Sequence, residues 1–491
     1  MILKMWWKKK SLPKKIISIV AIVILCYLLY LIIGATAPFG HYPEVTKQEK
    51  QNFFSLSDFG EEISCDRAMI LEENQDALVE RLRLMSLAKK QIVLTTFDMR
   101  EGQSTKELAA MLIHKADEGV KVKILVDGIS TVIRMERKPL FYALAAHENI
   151  EIKSYNPLNL LKPWMTQGRM HEKYLIVDDI AYVAGGRNTF NYFLGEYNTK
   201  NKSLDREVLV YNTQAGQEVS NQSQSSIYEL QDYFEKVWNL KVCKQFHEEK
   251  DLAKKSSVQN MYEELEADYR KLPETYPGLY DDIDYEKCTV ETQGVKLILG
   301  ESSIYEKRPL VFEQQVQLMS EAKESVLIHT PYIVCNDQMY ERLKTVTDKV
   351  PHVSMVINSV ENGDNFFASA DYLYNKKEVI DLGTQLYEYN GGHSTHGKSI
   401  VIDGEVSIVG SYNMDLRSTY MDSEMMVAVK SKELAQILTG YMEQLNQDCT
   451  KVVTVDTYEI PEHVVIEKVP AWKKAAMRVV GFIMQAFRYE V

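Results

Sequence analysis

Short runs of β-branched and aliphatic residues recur along the chain, each next to a segment whose apolar positions fall at helical spacing. QIVLTTF, from Gln91, reads as a buried strand. TKELAAMLIHKADEG, from Thr105, reads as a helix with a glycine stop, and VKVKILVDG, from Val120, as a second strand. The same order returns in SVLIHTPY from Ser325, MYERLKTVTDK from Met339 and HVSMVINS from His352. Alternation of this kind predicts an α/β fold with a largely parallel or mixed sheet, whose ligand sites lie at the carboxyl ends of strands.

The recurrence is an internal duplication. LMSLAKKQIVLTT at Leu84 and LMSEAKESVLIHT at Leu318 are similar and lie 234 residues apart. A second landmark repeats at an offset of 225: RMHEKYLIVDDIAYVAGGRN from Arg169 and STHGKSIVIDGEVSIVGSYN from Ser394. A period of domain size means two halves rather than a solenoid. The pattern divides the chain into a basic tail (1–15), an apolar anchor (16–34), a linker (35–61), a first α/β domain (62–240), a helical connector (241–291), a second α/β domain (292–453) and a C-terminal segment (454–491). Each α/β domain is expected to be a mixed sheet flanked by helices.

The N-terminal run Ile16 to Gly34 carries no charge and is long enough to cross hydrocarbon as one helix. Lys4, Lys8, Lys9, Lys10, Lys14 and Lys15 precede it, which predicts a cytoplasmic N-terminus and an extracytoplasmic remainder at the cell membrane. A cleaved signal peptide is the rival reading, with Ala35 to Ala37 as cleavage site. PAWKKAAMRVVGFIMQAFRYEV, from Pro470, reads as an amphipathic basic helix. Trp472, Met477, Val480, Ile483, Met484 and Phe487 share its apolar face and suit an anionic membrane surface; docking on the protein's own core is the alternative. The net charge of −12 weighs against a nucleic-acid partner. Cys26, Cys65, Cys243, Cys288, Cys335 and Cys449 show no zinc-type spacing.

Candidate chemistry sits in the repeated landmark. The first copy reads His171-x-Lys173-x4-Asp178, then Gly185-Gly186 and Asn188; the second reads His396-x-Lys398-x4-Asp403, then Gly410-Ser411 and Asn413. Residues two apart on a strand face one way, so imidazole and ammonium can share one anion. Lysine is a compact point charge suited to phosphate, and Asn188 and Asn413 add amide donors beside the close backbone approach at Gly186 and Ser411. Asp178 and Asp403 follow buried apolar runs, where orienting a turn suits them better than chemistry. His393 and His396 form an HxxH with no third ligand nearby, so no metal site is expected. His329 and Tyr332 line a pocket or serve structure, and the NPLNLLKPWM loop from Asn156 presents Leu and Trp suited to lipid contact.

The doubled HxKxxxxD motif resembles that of the phospholipase D superfamily, and RMHEK…GGRN with HGKSIVIDGEVSIVGSYNMDLRS resembles bacterial cardiolipin synthases, over about Glu62 to Val453. The resemblance implies two phospholipase-D-like domains sharing one site, with His171, Lys173, Asp178, His396, Lys398 and Asp403 as the catalytic motif residues. It implies His171 as nucleophile forming a phosphohistidine, His396 as general acid, and no cofactor or metal. It also implies a carboxylate behind each histidine: Glu424 for His171, and Asp205 for His396 with Glu207 as the alternative. The implied reaction is cardiolipin formation from phosphatidylglycerol at a membrane; hydrolysis to phosphatidic acid, nucleic-acid phosphodiester cleavage and a non-enzymatic scaffold are the alternatives.

Overall fold

The computed structural model describes residues 11–197, 202–217, 225–247, 251–466 and 469–490. Most of the expected basic tail and short parts of the connecting stretch lie outside them. Ten strands belong to the first half: β1 (Asp66–Leu71), β2 (Gln91–Thr96), β3 (Lys121–Asp127), β4 (Ile150–Tyr155), β5 (Tyr174–Val177), β6 (Ala181–Gly185), β7 (Ser203–Leu204), β8 (Glu207–Asn212), β9 (Cys243–Gln245) and β10 (Val290–Glu291). Ten follow: β11 (Val295–Leu299), β12 (Ser325–His329), β13 (His352–Asn358), β14 (Gln385–Tyr389), β15 (Ser394–Thr395), β16 (Ser399–Ile402), β17 (Val406–Gly410), β18 (Met425–Lys430), β19 (Cys449–Thr454) and β20 (Thr457–Glu459).

The two large sheets repeat one topology. The first runs β10-β1-β8-β6-β5-β2-β3-β4-β9 and the second β11-β18-β17-β16-β12-β13-β14-β19-β20. Apart from β10 and β20, added at opposite edges, every strand has its counterpart in the same place. In each sheet three strands run parallel (β2-β3-β4 and β12-β13-β14) and the others pair antiparallel. The expected mixed sheets and duplication are therefore present.

The strands read as unbroken apolar runs because both faces are covered. Along β5, Leu175 and Val177 enter a core beneath the flanking helices, while Tyr174 and Ile176 enter a second core. That second core is shared. It holds Val93, Leu125, Tyr182 and Val208 of the first half beside Val401, Val409, Met425 and Val427 of the second. Helices Ser226–Trp238 and Lys432–Asn446 contribute Phe234, Trp238, Leu434 and Leu438 to it. The two halves thus meet over a buried apolar interface.

Outside the sheets, helix Leu12–Thr36 stands with no buried residue. It is the only helix among the described residues long and apolar enough to cross a membrane. Helix Ser256–Thr275 in the connector packs Val258, Leu265 and Leu272 into the core of the first half. The C-terminal helix Ala471–Met484 divides its apolar residues in a way the sequence pattern did not indicate. Met477 and Val480 dock into the core of the second half, Gly481 rests on the Ala370 backbone, and Lys474 and Arg488 pair with Glu361 and Asp371. Trp472, Val479, Phe482, Ile483 and Phe487 stay exposed. The expected single apolar face is in fact two.

Each motif aspartate closes the far end of its strand. Both adopt positive φ, Asp178 at 48° and Asp403 at 51°. The Asp178 carboxylate accepts the amides of Lys89, Lys90 and Gln91; Asp403 accepts those of Lys323, Glu324 and Ser325 at 2.8–2.9 Å. Partial burial works to raise the Asp403 carboxyl, but the three amides outweigh it and hold it below its ordinary value. Its folded pKa is below the unfolded value of about 3.9, so its stabilisation is present above pH ~4 and lost on acidification through the folded value. Asp403→Ala should cost about 1–2 kcal/mol at pH 7, because two of the amides are open to water. Chemical denaturation should show that deficit shrinking below pH ~4. A deficit constant with pH would contradict the charge-assisted origin.

Candidate active site

The histidines are not on the strands but on extended lead-ins just before them, where each is held by the other half. The His171 amide donates to the Ser423 carbonyl at 3.0 Å, and the His396 amide to the Leu204 carbonyl at 2.6 Å. β15, immediately before His396, pairs in parallel with β7, immediately before Asp205. A matching bridge joins Met170 to Ser423. Each motif is thereby laid against the segment that carries its partner's carboxylate.

His171 Nδ1 lies 2.7 Å from Glu424 Oε1, and His396 Nδ1 lies 2.7 Å from Asp205 Oδ2. Both carboxylates come from the opposite half. Strand register explains why Asp205, and not Glu207, faces His396. Gly185 is opposite Glu207 and Gly410 is opposite Met426, so Asp205 is the counterpart of Glu424 and Glu207 the counterpart of Met426. Glu207 points into the first half, where it pairs with the buried Arg81 at 2.5 Å.

Gly186 and Ser411, expected at the substrate, contact these carboxylates. Ser411 Oγ donates to Glu424, and Ser418 Oγ donates to its other oxygen at 2.7 Å. Gly186 abuts the Asp205 carboxylate so closely that a Cβ has no room. Asp178 and Asp403 are likewise not brought to the cleft; their carboxylates are committed to the strand-end amides described above. Asn188 is buried, and its Oδ1 accepts the Asp98 amide at 3.0 Å, fixing which end of the amide is left to donate. Asn413 is buried beside the second motif, and its Oδ1 has no partner among the described residues.

Lys173 and Lys398 are buried, and each ammonium donates to the carbonyl of its own histidine. Lys398 Nζ also lies 2.7 Å from His396 Nδ1. Burial drives the electrostatics. It pushes Lys173 down to about 7 and Lys398 to about 8, against the pull of Glu424 and Asp205. Burial together with Lys173 pushes His171 well below the ordinary imidazole value, and the charges of Lys398 and His396 add to this across the cleft. His396 is lowered too, by burial and Lys398, with Asp205 opposing. The carboxylates diverge. Burial lifts Glu424 to about 7 in spite of Lys173, Ser411 and Ser418; at Asp205 burial is outweighed by Lys398 and His396, which hold it below the carboxylate range. Both imidazoles are thereby pushed toward the neutral form, which has a free lone pair for nucleophilic or base chemistry, His171 further than His396.

Several contributors left no signal in the sequence. Phe97 and Phe193 set their rings 5.1 and 5.3 Å from the rings of His171 and His396. Ser418 has no counterpart motif in the first half. His329 bonds Thr395 Oγ1 at 2.9 Å and Arg206 at 3.1 Å, and Arg206 in turn reaches Glu72 and Ser399. That network crosses between the halves one residue from His396, and gives His329 a structural place.

Known proteins bear on this arrangement. A family model described as cardiolipin synthase, phospholipase-D-like domain, matches residues 82–238 and 316–446. Cardiolipin synthase C of Escherichia coli strain K12 is 23% identical over 468 residues, covering 84% of this chain and 94% of that protein. The major cardiolipin synthase of Bacillus subtilis strain 168 is 24% identical over 391 residues, covering 79% and 69%. Among solved structures, phosphatidylserine synthase of Haemophilus influenzae Rd KW20 superposes with a TM-score of 0.61 at 13% identity, over 87% of this chain and 95% of that one, a likeness of fold. With both matched segments carrying a histidine motif in its own sheet, the chain belongs to the phospholipase D superfamily, in the phospholipase-D-like family described for cardiolipin synthase.

Proposed function

We propose that this chain is a membrane-anchored phosphatidyltransferase that makes cardiolipin and glycerol from two molecules of phosphatidylglycerol. The observation that carries the reading is the reciprocal pair of buried histidine–carboxylate contacts, one from each half, in a site lined by two lysines. One phosphodiester replaces another, so no energy donor is required.

In this reading Nε2 of neutral His171 attacks phosphorus, and the P–O bond to glycerol breaks as His396, protonated in the substrate complex against ionised Asp205, gives its Nε2 proton to the leaving oxygen. The product is glycerol and a phosphatidyl group on His171. The free hydroxyl of a second phosphatidylglycerol then loses its proton to His396 and attacks phosphorus, the P–N bond breaks, and cardiolipin leaves. Lys173, Lys398, Asn188 and Asn413 hold the phosphate oxygens as charge shifts. The unequal carboxylates support this division of labour: Asp205 stays ionised, the state that stabilises His396 when protonated, whereas His171 is pushed further toward the neutral form a nucleophile needs.

Purified protein with phosphatidylglycerol vesicles should yield cardiolipin and glycerol in equal amounts. Phosphatidic acid as dominant product would replace the transferase reading with a hydrolase. His171→Ala and His396→Ala should each lower turnover by at least ~10³-fold. A phosphoprotein should be trappable in His396→Asn and absent in His171→Asn; the reverse pattern would exchange the two roles.

In the same reading the anchor spans the cell membrane, with the N-terminus cytoplasmic and both α/β halves outside. The basic residues before an uncharged helix support that orientation. A periplasm-dependent reporter fused after Val491 should be active; activity of a cytoplasm-dependent one instead would invert the topology.

A further inference from the structure

The anchor helix is tied to the loop that precedes the first histidine motif. Tyr27 Oη donates to the Leu160 carbonyl at 3.0 Å and Tyr30 Oη to the Leu161 carbonyl at 2.7 Å. Pro163 packs onto Gly34 with no room for a Cβ between them. Both tyrosines lie inside the apolar run. At 1.5 Å per residue, Tyr30 is about 6 Å and Tyr27 about 10 Å deeper than Gly34.

The run itself, residues 16–34, is about 28 Å long against a hydrocarbon thickness of about 30 Å. Its length leaves no slack. Sliding the helix outward to lift the tyrosines clear of lipid would draw Lys14 and Lys15 into hydrocarbon. The loop must therefore go where the tyrosines are. Its composition fits that place. Leu158, Leu160 and Trp164 are exposed, Leu161 is 76% exposed, and residues 157–165 include no acidic group. Lys162 has a stem long enough to reach the lipid phosphates. In hydrocarbon a loop carbonyl needs a donor and a tyrosine hydroxyl needs an acceptor; the two hydrogen bonds satisfy both. A neighbouring turn adds to the surface: Gly128 abuts the Asn156–Pro157 backbone, and Val132 and Ile133 just beyond it are exposed.

The base of the loop is rigid. The buried Arg169 guanidinium donates to the carbonyls of Tyr155, Asn156 and Thr166 and pairs with Asp127 at 2.9 Å, gripping both ends of the loop two residues before His171. Asn156 Nδ2 spans the same gap to Met165 and Gly168.

We propose that the Pro157–Met165 loop is a lipid-inserting wedge, latched to the anchor by Tyr27 and Tyr30, that fixes the depth of the His171 side of the cleft in the leaflet. The wedge rests on the anchor spanning a bilayer; its effect on turnover rests in addition on the phospholipid reading above.

The test uses full-length protein in phosphatidylglycerol-containing vesicles, with Trp6, Trp7, Trp164, Trp238 and Trp472 replaced by Phe and Leu161→Trp as the probe. Blue-shifted emission, quenched by lipids brominated high on the acyl chain and not by aqueous acrylamide, is expected. Water-like emission quenched by acrylamide would overturn insertion. Adding Tyr27→Phe and Tyr30→Phe should weaken the bromolipid quenching; an unchanged depth profile would overturn the latch. In the native background the same tyrosine pair should lower turnover of vesicle phosphatidylglycerol about tenfold and spare a water-soluble short-chain phosphodiester. Equal loss on both substrates would overturn the depth-setting role. Because quenching needs no turnover, the wedge can stand even if the transferase reading falls.

Discussion

Each histidine is oriented by a carboxylate that the other half supplies, and most of the architecture follows from that exchange. A histidine bonded to its own half would leave two separable domains. Here the segment before Asp205 pairs with the segment before His396, and Ser423 receives the His171 amide. A displacement between the halves would disturb both contacts. The shared apolar core, with Val93 and Val208 packed beside Val401 and Val427, gives the interface the close packing of an interior, which resists such displacement. The Arg206–His329 network adds directional bonds across the same seam, and their loss would leave buried polar groups unpaired.

The buried lysines have a cost that the geometry offsets. An ammonium taken from water is driven toward neutrality, and both lysines are pushed far below the usual amine range. Glu424 and Asp205 close by, and the histidine carbonyl to which each ammonium donates, oppose that drive. An arriving phosphodiester brings a negative charge that favours the charged lysine further. In the proposed reaction the anion thus improves the electrostatics of the groups that would receive it.

The sequence made the α/β class, the duplication, the anchor and both histidine–lysine pairs legible, since each rests on local spacing: period-two projection, apolar runs, a charge-free stretch of membrane length. What it left open is decided by register and by three-dimensional neighbours. Asp205 and Glu207 are equally acidic and two residues apart, so they face the same side of an ideal strand. The choice between them follows from Gly185 facing Glu207 where Gly410 faces Met426. Gly186 and Ser411 read as ligand contacts because small residues permit close approach; the group that approaches each in the structure is a carboxylate. The C-terminal helix was read as one apolar stripe, but its apolar arc is wide enough to dock Met477 and Val480 and still expose Trp472 and Phe482.

The two halves have diverged in a coupled way around the carboxylates. Glu424 is one methylene longer than Asp205, and it is held by two hydroxyls, of Ser411 and Ser418. Asp205 is held by the Arg206 amide at 2.7 Å, and the place corresponding to Ser411 is Gly186, where any side chain would collide with the carboxylate. A serine at 186 has no space, and a glycine at 411 would remove a donor from Glu424. The longer acid therefore goes with hydroxyl support and the shorter acid with an open backbone. The same difference leaves Glu424 easily protonated and Asp205 firmly ionised. Duplication yields two equivalent histidines, whereas a double displacement asks one to attack and the other to carry protons. Under the double displacement proposed above, the unequal acids support unequal tasks for the two histidines.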